Sequence, residues 1–146
     1  MESEYLSYRA ILSNAMSQEN VENYRRAAAA WARGDLAAAL AFADEDAEVI
    51  SRVNVIEGSY RGHDGVRRWW QDLHDSFPDW NAEVGEVRAL GDATLAVLHI
   101  RAHGGESGAP VDQTMCHLAH WRNGLMVRLS SHTSEAEALE AAGLRE

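Results

Sequence analysis

Between Asn20 and Asp46 the apolar residues fall in a helical rhythm. In NVENYRRAAAAWARGDLAAALAFADED, Val21, Tyr24, Ala28 and Trp31 keep the i, i+3, i+7, i+10 spacing of one buried face. Gly34 stops this helix, and Asp35 caps a second, short one carrying Leu36, Ala39 and Leu40. Asp44, Glu45 and Asp46 read as a turn into a strand, where Ala47, Val49, Ser51 and Val53 alternate with Glu48, Ile50 and Arg52. EGSYRGHDG reads as a glycine-containing loop. Asp64 is then placed to cap a helix that buries Val66, Trp69, Trp70, Leu73 and Phe77, and Pro78 closes it.

The second half changes to a period of two. Residues 80–90 predict a strand whose apolar phase slips between Val84 and Val87, which places a bulge at Gly85. In the strand from Thr94 to His103 both phases are apolar. Ala96, Leu98, Ile100 and Ala102 share one face; Leu95, Val97, His99, Arg101 and His103 share the other. GGESGAP turns into a strand from Val111 to Trp121, and Asn123-Gly124 is a two-residue hairpin signal before Leu125 to Thr133. Ser134 and Glu137 form a capping box for a last helix ending at Gly143. The order α-α-β-β-α-β-β-β-β-α, with the sheet mostly late, is an α+β plan.

Composition narrows the partners. The chain has 146 residues, enough for one domain with a real core, and its 23 acidic against 13 basic side chains give a net charge of −10. Nucleic acid and anionic membrane surfaces are therefore poor partners. No apolar run reaches the roughly 20 residues of a membrane helix, and MESEYLSYRAILSNA lacks the basic start and apolar centre of a secretory signal. With Cys116 alone there is no internal disulfide, so a cytoplasmic location is expected. Met16 begins MSQENVENY with Ser17 placed to cap the first helix. Residues 1–15 are accordingly read as an N-terminal extension, of natural or cloning origin, and 16–146 as the domain. Tyr5, Leu6, Tyr8, Ile11 and Leu12 can add an amphipathic turn or two.

Four stretches carry a family likeness: AWARGDLAAALAFADEDAEV, YRGHDGVRRWWQDLHDSFPDWNAEVGEV, HLAHWRNGLMVRL and SEAEALEAAGL. In that order and spacing, from about residue 17 to 144, the chain resembles the SnoaL-like branch of the nuclear-transport-factor-two-like superfamily. The resemblance implies a cone-shaped, curved mixed or antiparallel sheet wrapped around the N-terminal helices. It also implies a small-molecule pocket and a homodimer through the outer sheet face, to which Met115, Ala119 and Trp121 would give apolar surface. The scaffold hosts cyclases, isomerases, hydrolases, dehydratases and binding domains, so chemistry must come from the site. The ketosteroid isomerases of this superfamily use a Tyr, a basic Asp and a protonated Asp; the matching positions are Ala27, about Ser51, and near Cys116. Its epoxide hydrolases use an Asp-Arg-Asp set, and the acid of the last strand aligns with Ser131. These departures argue against both reactions.

A different polar group remains. If Leu95 and Val97 face the interior, alternation puts His99 and Arg101 there too. If Cys116 takes the acid position that the resemblance implies, Thr114, Leu118 and His120 face inward with it on the next strand. His99 and His120 are then candidate general acids or bases, and Arg101 a candidate for stabilising negative charge. Against this, a strand histidine is more often a hydrogen-bonded structural residue, and Arg101 can pair with an acid at the rim. The resemblance implies that Trp31 and Trp69 line the ligand cavity, and Ser51, Val97, Cys116, Leu118 and Ser131 are expected there with them, although each tryptophan taken singly suits plain core filling. Trp70 is expected beside them, Trp80 at the start of the third strand, and Trp121 outward.

Asp79 could face a ligand at the cone mouth, but a helix-ending turn residue is the plainer account. His63 and His74 read as solvated, and His132 as pointing away from Ser131. Metal is not expected: His117 and His120 point to opposite faces, and His99 and His103 lie roughly 13 Å apart along their strand. No cofactor is expected. The expected function is a cofactor-independent isomerase, cyclase or (de)hydratase acting on an apolar cyclic substrate, polyketide-, steroid- or terpenoid-like, by histidine acid/base chemistry. The alternative is a non-catalytic module binding a hydrophobic small molecule.

Overall fold

A computed structural model describes residues 2–53 and 56–143, with side chains described for 15–51 and 59–143. The elements are α1 (Glu2–Ala32), α2 (Leu36–Leu40), β1 (Ala43–Val53), β2 (Ile56–Arg61), α3 (Gly62–Ser76), β3 (Asn81–Leu90), β4 (Ala93–His103), β5 (Pro110–Arg122), β6 (Leu125–His132) and α4 (Glu135–Ala141). This is the α+β order expected from the sequence. The six strands form one sheet in the order β2-β1-β6-β5-β4-β3. Only β1 against β6 is parallel; the other neighbours are antiparallel.

Local chemistry accounts for most of the boundaries. Gly34 ends α1 at a φ of +74°, a region open to glycine at little cost. The Asp35 side chain accepts from the Ala38 N–H at the start of α2. Asn123 and Gly124 both take positive φ, as a two-residue hairpin turn of the β5–β6 type requires. Ser134 caps α4 by accepting from the Glu137 N–H.

Three expectations at element starts fail. Ser17 lies inside α1, and its hydroxyl donates to Gly91 O instead of capping. Asp64 sits within the first turn of α3, where it pairs with Arg67, while Arg61 occupies the cap position without a side-chain capping bond. Asp44, Glu45 and Asp46 belong to β1: the turn-like feature there is an Asp46 N–H to Asp44 Oδ1 bond at the register irregularity between Ala43 and Glu48. The stretch read as the loop EGSYRGHDG is mostly β2, hairpin-paired to β1, and the first turn of α3. The side chains of Tyr5, Leu6, Tyr8, Ile11, Leu12 and Val53 lie outside the described residues.

Two bulges shape the concave face. The β3–β4 register shifts between Val84 and Val87, as the sequence phase indicated. Arg25 of α1 donates to Gly85 O in that bulge, tying the helix to the sheet edge. In β6, Val127 is the extra residue: His120 pairs with Arg128 and Trp121 with Met126. Met126 and Leu129, three apart, thereby both reach the interior. The concave face carries Val49, Ala96, Leu98, Ile100, Met115 and Ala119, and it buries them against Val66, Trp69 and Leu73 of α3 and Tyr24 of α1. A smaller cluster on the convex face joins Leu95 and Cys116 to Ala138 and Leu139 of α4.

Trp121 closes the end of the concave face. Its indole N–H donates to Thr94 Oγ1 at 2.9 Å in a fully buried setting. Thr94→Val preserves the shape but orphans that N–H, and an unmet buried donor costs about 1–3 kcal/mol. Urea unfolding should show a loss of that size, with an unchanged slope on denaturant.

Candidate functional site

The helices do not fill the sheet's concavity. A hollow of about 470 Å³ remains between α1, α3 and the concave strands. All five tryptophans, Trp31, Trp69, Trp70, Trp80 and Trp121, contribute to its wall. Trp31 meets Trp69 edge-on at 5.5 Å and Trp70 at 4.5 Å between ring centroids. Trp70 in turn lies 4.1 Å from the His74 ring. The ladder arises because Trp70 and His74 are one turn apart on α3 and Trp31 ends α1 beside them. It is a rigid aromatic surface of the kind that receives flat ligands.

The polar part of the wall is small. Tyr24 hydroxyl and His117 Nδ1 share a hydrogen bond of 3.1 Å, and the two rings meet nearly edge-on. Tyr24 faces inward from the buried stripe of α1, and His117 from β5 in the phase of Met115, Ala119 and Trp121. Desolvation lowers the His117 pKa to about 4, with a smaller push from His132. Burial drives the Tyr24 phenol well above its usual range, a rise that Arg25 partly offsets. Both groups are therefore neutral at pH 7. Among the described residues nothing bonds His117 Nε2, so that atom is left for whatever occupies the hollow. Ser51, Trp69 and Ser131 also line it. Ser51 Oγ and Trp69 Nε1 are buried without a partner among the described residues.

Of the residues singled out in the sequence, Trp31, Ser51, Trp69 and Ser131 line the hollow. The other candidates do not. His99, Arg101, Val97, Cys116, Leu118 and His120 all lie on the convex side, because the interior receives the even-numbered residues of β4 and the odd-numbered ones of β5. The pairs Ala96↔His117 and Leu98↔Met115 fix this phase, and one residue of error exchanges every side chain between faces.

The displaced residues have other roles. His99 is half-buried and hydrogen-bonded at Nε2 to the exposed Asp112, which holds that carboxyl below its usual range. Leu118 is fully buried, and Cys116 packs under α4, where burial raises its thiol pKa. His120 is partly buried on the convex face, its Nδ1 without a partner among the described residues, and desolvation followed by Arg128 lowers its pKa. Asp79 is exposed outside the hollow. Its carboxylate accepts from the His103 N–H and from the His103 ring, both at 2.7 Å, so it anchors the end of β4. His63 is likewise structural, its Nε2–H donating to Ala43 O. Met115, Ala119 and Trp121 are 3%, 0% and 5% exposed and turned inward, so they give no apolar surface to an outer-face dimer. His74 is not simply solvated: it lines the hollow.

The sequence reading missed His117, Tyr24 as a polar group, and His74. One signal was available for His117. Met115, His117, Ala119 and Trp121 form an apolar stripe with one titratable member, which is the pattern of a strand facing a cavity.

Among the described residues no helix is long and apolar enough to cross a membrane, and no three His, Cys, Asp or Glu side chains converge as a metal site. Several solved structures share the fold. Bal32a, from a soil-derived mobile gene cassette, is 20% identical, with a TM-score of 0.75 over 86% of this chain and 97% of its own. A protein provisionally named a SnoaL-like polyketide cyclase, from Jannaschia sp. CCS1, is 17% identical, with a TM-score of 0.71 over 90% and 96%. TerC, co-crystallised with polyporic acid, is 16% identical, with a TM-score of 0.71 over 84% and 96%. No functionally curated protein matches the sequence. The profile of the SnoaL-like domain matches residues 24–129, which span the first helix to the last strand and every cavity-forming element between them. The chain belongs to the SnoaL-like domain family.

Proposed function

We propose that the hollow binds a flat, largely apolar cyclic molecule and that His117, paired with Tyr24, moves a proton on it without a cofactor, as an isomerase, cyclase or (de)hydratase does. One observation carries this reading. Among the described residues lining the hollow there is no carboxylate, and the only titratable pair hydrogen-bonded to each other is Tyr24 and His117. A base for a carbon-bound proton must then be an imidazole. That two structures of this fold are named for a polyketide cyclase and for a complex with polyporic acid agrees with a cyclic ligand.

The pair has two neutral forms. When the Tyr24 hydroxyl donates to Nδ1, His117 offers Nε2–H as a donor. When Nδ1–H donates to the Tyr24 oxygen, Nε2 carries a lone pair and is a base. In the second form Nε2 takes a proton from carbon next to a ligand carbonyl, leaving an enolate beside an imidazolium. The low pKa reflects desolvation of the cation, and the enolate formed at contact distance offsets that penalty. Tyr24 stays protonated and holds the ring through Nδ1–H. The unmet hydrogen bonds of Ser51 Oγ and Trp69 Nε1 each cost about 1–3 kcal/mol, which a ligand oxygen can recover.

The test uses fused-ring ketones and 1,3-diketones in D2O, 2-tetralone and 1,3-indandione among them. Binding is read from tryptophan fluorescence, and exchange of the acidic C–H for deuterium from proton NMR. Exchange should be faster than in buffer. His117→Gln should lose about 10²-fold or more of that rate, with binding kept within a few-fold. Tyr24→Phe should lose less. Quenching without exchange would establish the non-catalytic alternative.

A second prediction follows from the His117 pKa. An unfolded histidine titrates near 6.5, so between pH 6.5 and 4 the unfolded chain binds the proton that folded His117 refuses. Stability contributed by neutral His117 is complete above pH 6.5 and is lost as pH falls toward 4, by on the order of 3 kcal/mol at most. His120, also lowered, acts in the same direction. Urea midpoints of wild type and His117→Gln, compared across that window, should converge as the pH drops.

A further inference from the structure

We propose that the ligand carries an anionic group, a carboxylate or an ionised enol, seated on Arg33 at the mouth of the hollow. This rests on the reading that the hollow is a ligand site, and it specifies the ligand's charge. The chain as a whole carries −10 and therefore repels anions at long range. Its cavity is built the other way. Among the described lining residues there is no Asp or Glu, and Arg33 is the single permanent charge. A neutral ligand needs no such segregation, and a cation would find no carboxylate among the described lining residues.

Arg33 is placed by the chain break that ends α1. It follows Ala32, the last residue of that helix, and precedes the positive-φ Gly34, which sets it next to the Trp31–Trp70 aromatic ladder. A ring stacked on that ladder has its edge near the guanidinium, and planar oxyanions match the guanidinium fork. His74 does not substitute for it. A carbonyl oxygen can only accept, so His74 Nδ1 must carry the proton it shares with Trp70 O at 3.0 Å. In the neutral ring, Nε2 then presents a lone pair, which does not hold an anion.

Arg33 also has a partner that can be displaced. Its guanidinium lies 3.6 Å from Asp35 Oδ2, and the two side chains are 58% and 46% exposed, so this pair is weak and readily exchanged. Asp35 meanwhile caps α2 through Oδ1. An entering anion takes over Arg33 while Asp35 keeps its cap. Asp35 is thus a built-in competitor for the seat, and the two functions of its carboxylate can be separated. Asn caps a helix as well as Asp but carries no charge.

The experiment compares three probes of one shape: 2-naphthoate, 2-naphthamide and 2-naphthylmethylammonium, titrated by calorimetry at low and high salt. Wild type should bind the acid about tenfold or more tighter than the amide, and the ammonium weakest, with the acid's preference shrinking in salt. Arg33→Gln should remove the preference by weakening the acid about tenfold and leaving the amide unchanged. Asp35→Asn should tighten the acid a few-fold without moving the amide. Equal binding of acid and amide in wild type, or an acid affinity indifferent to Arg33→Gln, overturns the proposal while the cavity stands as a neutral-ligand site. If neither acid nor amide binds, the ligand-site reading and this inference fall together.

Discussion

The site depends on the registry of β4 against β5. Once Ala96 is opposite His117 and Leu98 opposite Met115, the two-residue period of a strand assigns every other side chain to the hollow or to the convex surface. There is no intermediate arrangement. The bulges at Gly85 and Val127 keep this assignment while the sheet bends. Each inserts one residue where the alternation would otherwise turn an apolar side chain outward.

That constraint leaves a hollow between the concave strands and the helices, open at one mouth. Five indoles contribute to its wall; Trp31, Trp69 and Trp70 meet one another at edge-on or tilted angles, and Trp80 meets Phe77. A packed core of the same residues would be more stable. The protein keeps a space of about 470 Å³, a desolvated histidine in its wall, and two wall atoms, Ser51 Oγ and Trp69 Nε1, with no partner among the described residues. Local departures from optimal packing and hydrogen bonding are what a site for another molecule needs.

The convex layer explains why β4 is apolar on both faces. α4 lies across this side, Leu139 and Ala138 meeting Leu95 and Cys116. Polar ties hold it there. Glu137 accepts from the Thr133 hydroxyl and lies against His132, which is 2% exposed and also bonded to Ser130. Arg88 of β3 pairs with Glu135 of α4. The last helix therefore turns the outside of the sheet into a second small core, and a strand beneath it needs Leu95 and Leu118 as much as it needs Leu98 and Ile100.

The element order, the glycine stop after α1, the Asn-Gly hairpin, the Ser134 cap and the Gly85 bulge were all legible in the sequence. Each is decided within a few residues by backbone sterics or by a local hydrogen bond. The likeness of four segments to one family was legible for the same reason, since the helices and strands recur in order. The side of the sheet on which His99, Arg101 and His120 lie was not. With both phases of β4 apolar, hydrophobicity cannot choose between them, and only the position of α4 on one face and of α1 and α3 on the other does. The meeting of Tyr24 with His117, ninety-three residues apart, is likewise a product of how α1 crosses the sheet. The chain sequence determined which elements form, because those energies are local. The tertiary structure alone decided which side chains share the hollow, because that depends on which layer covers each face.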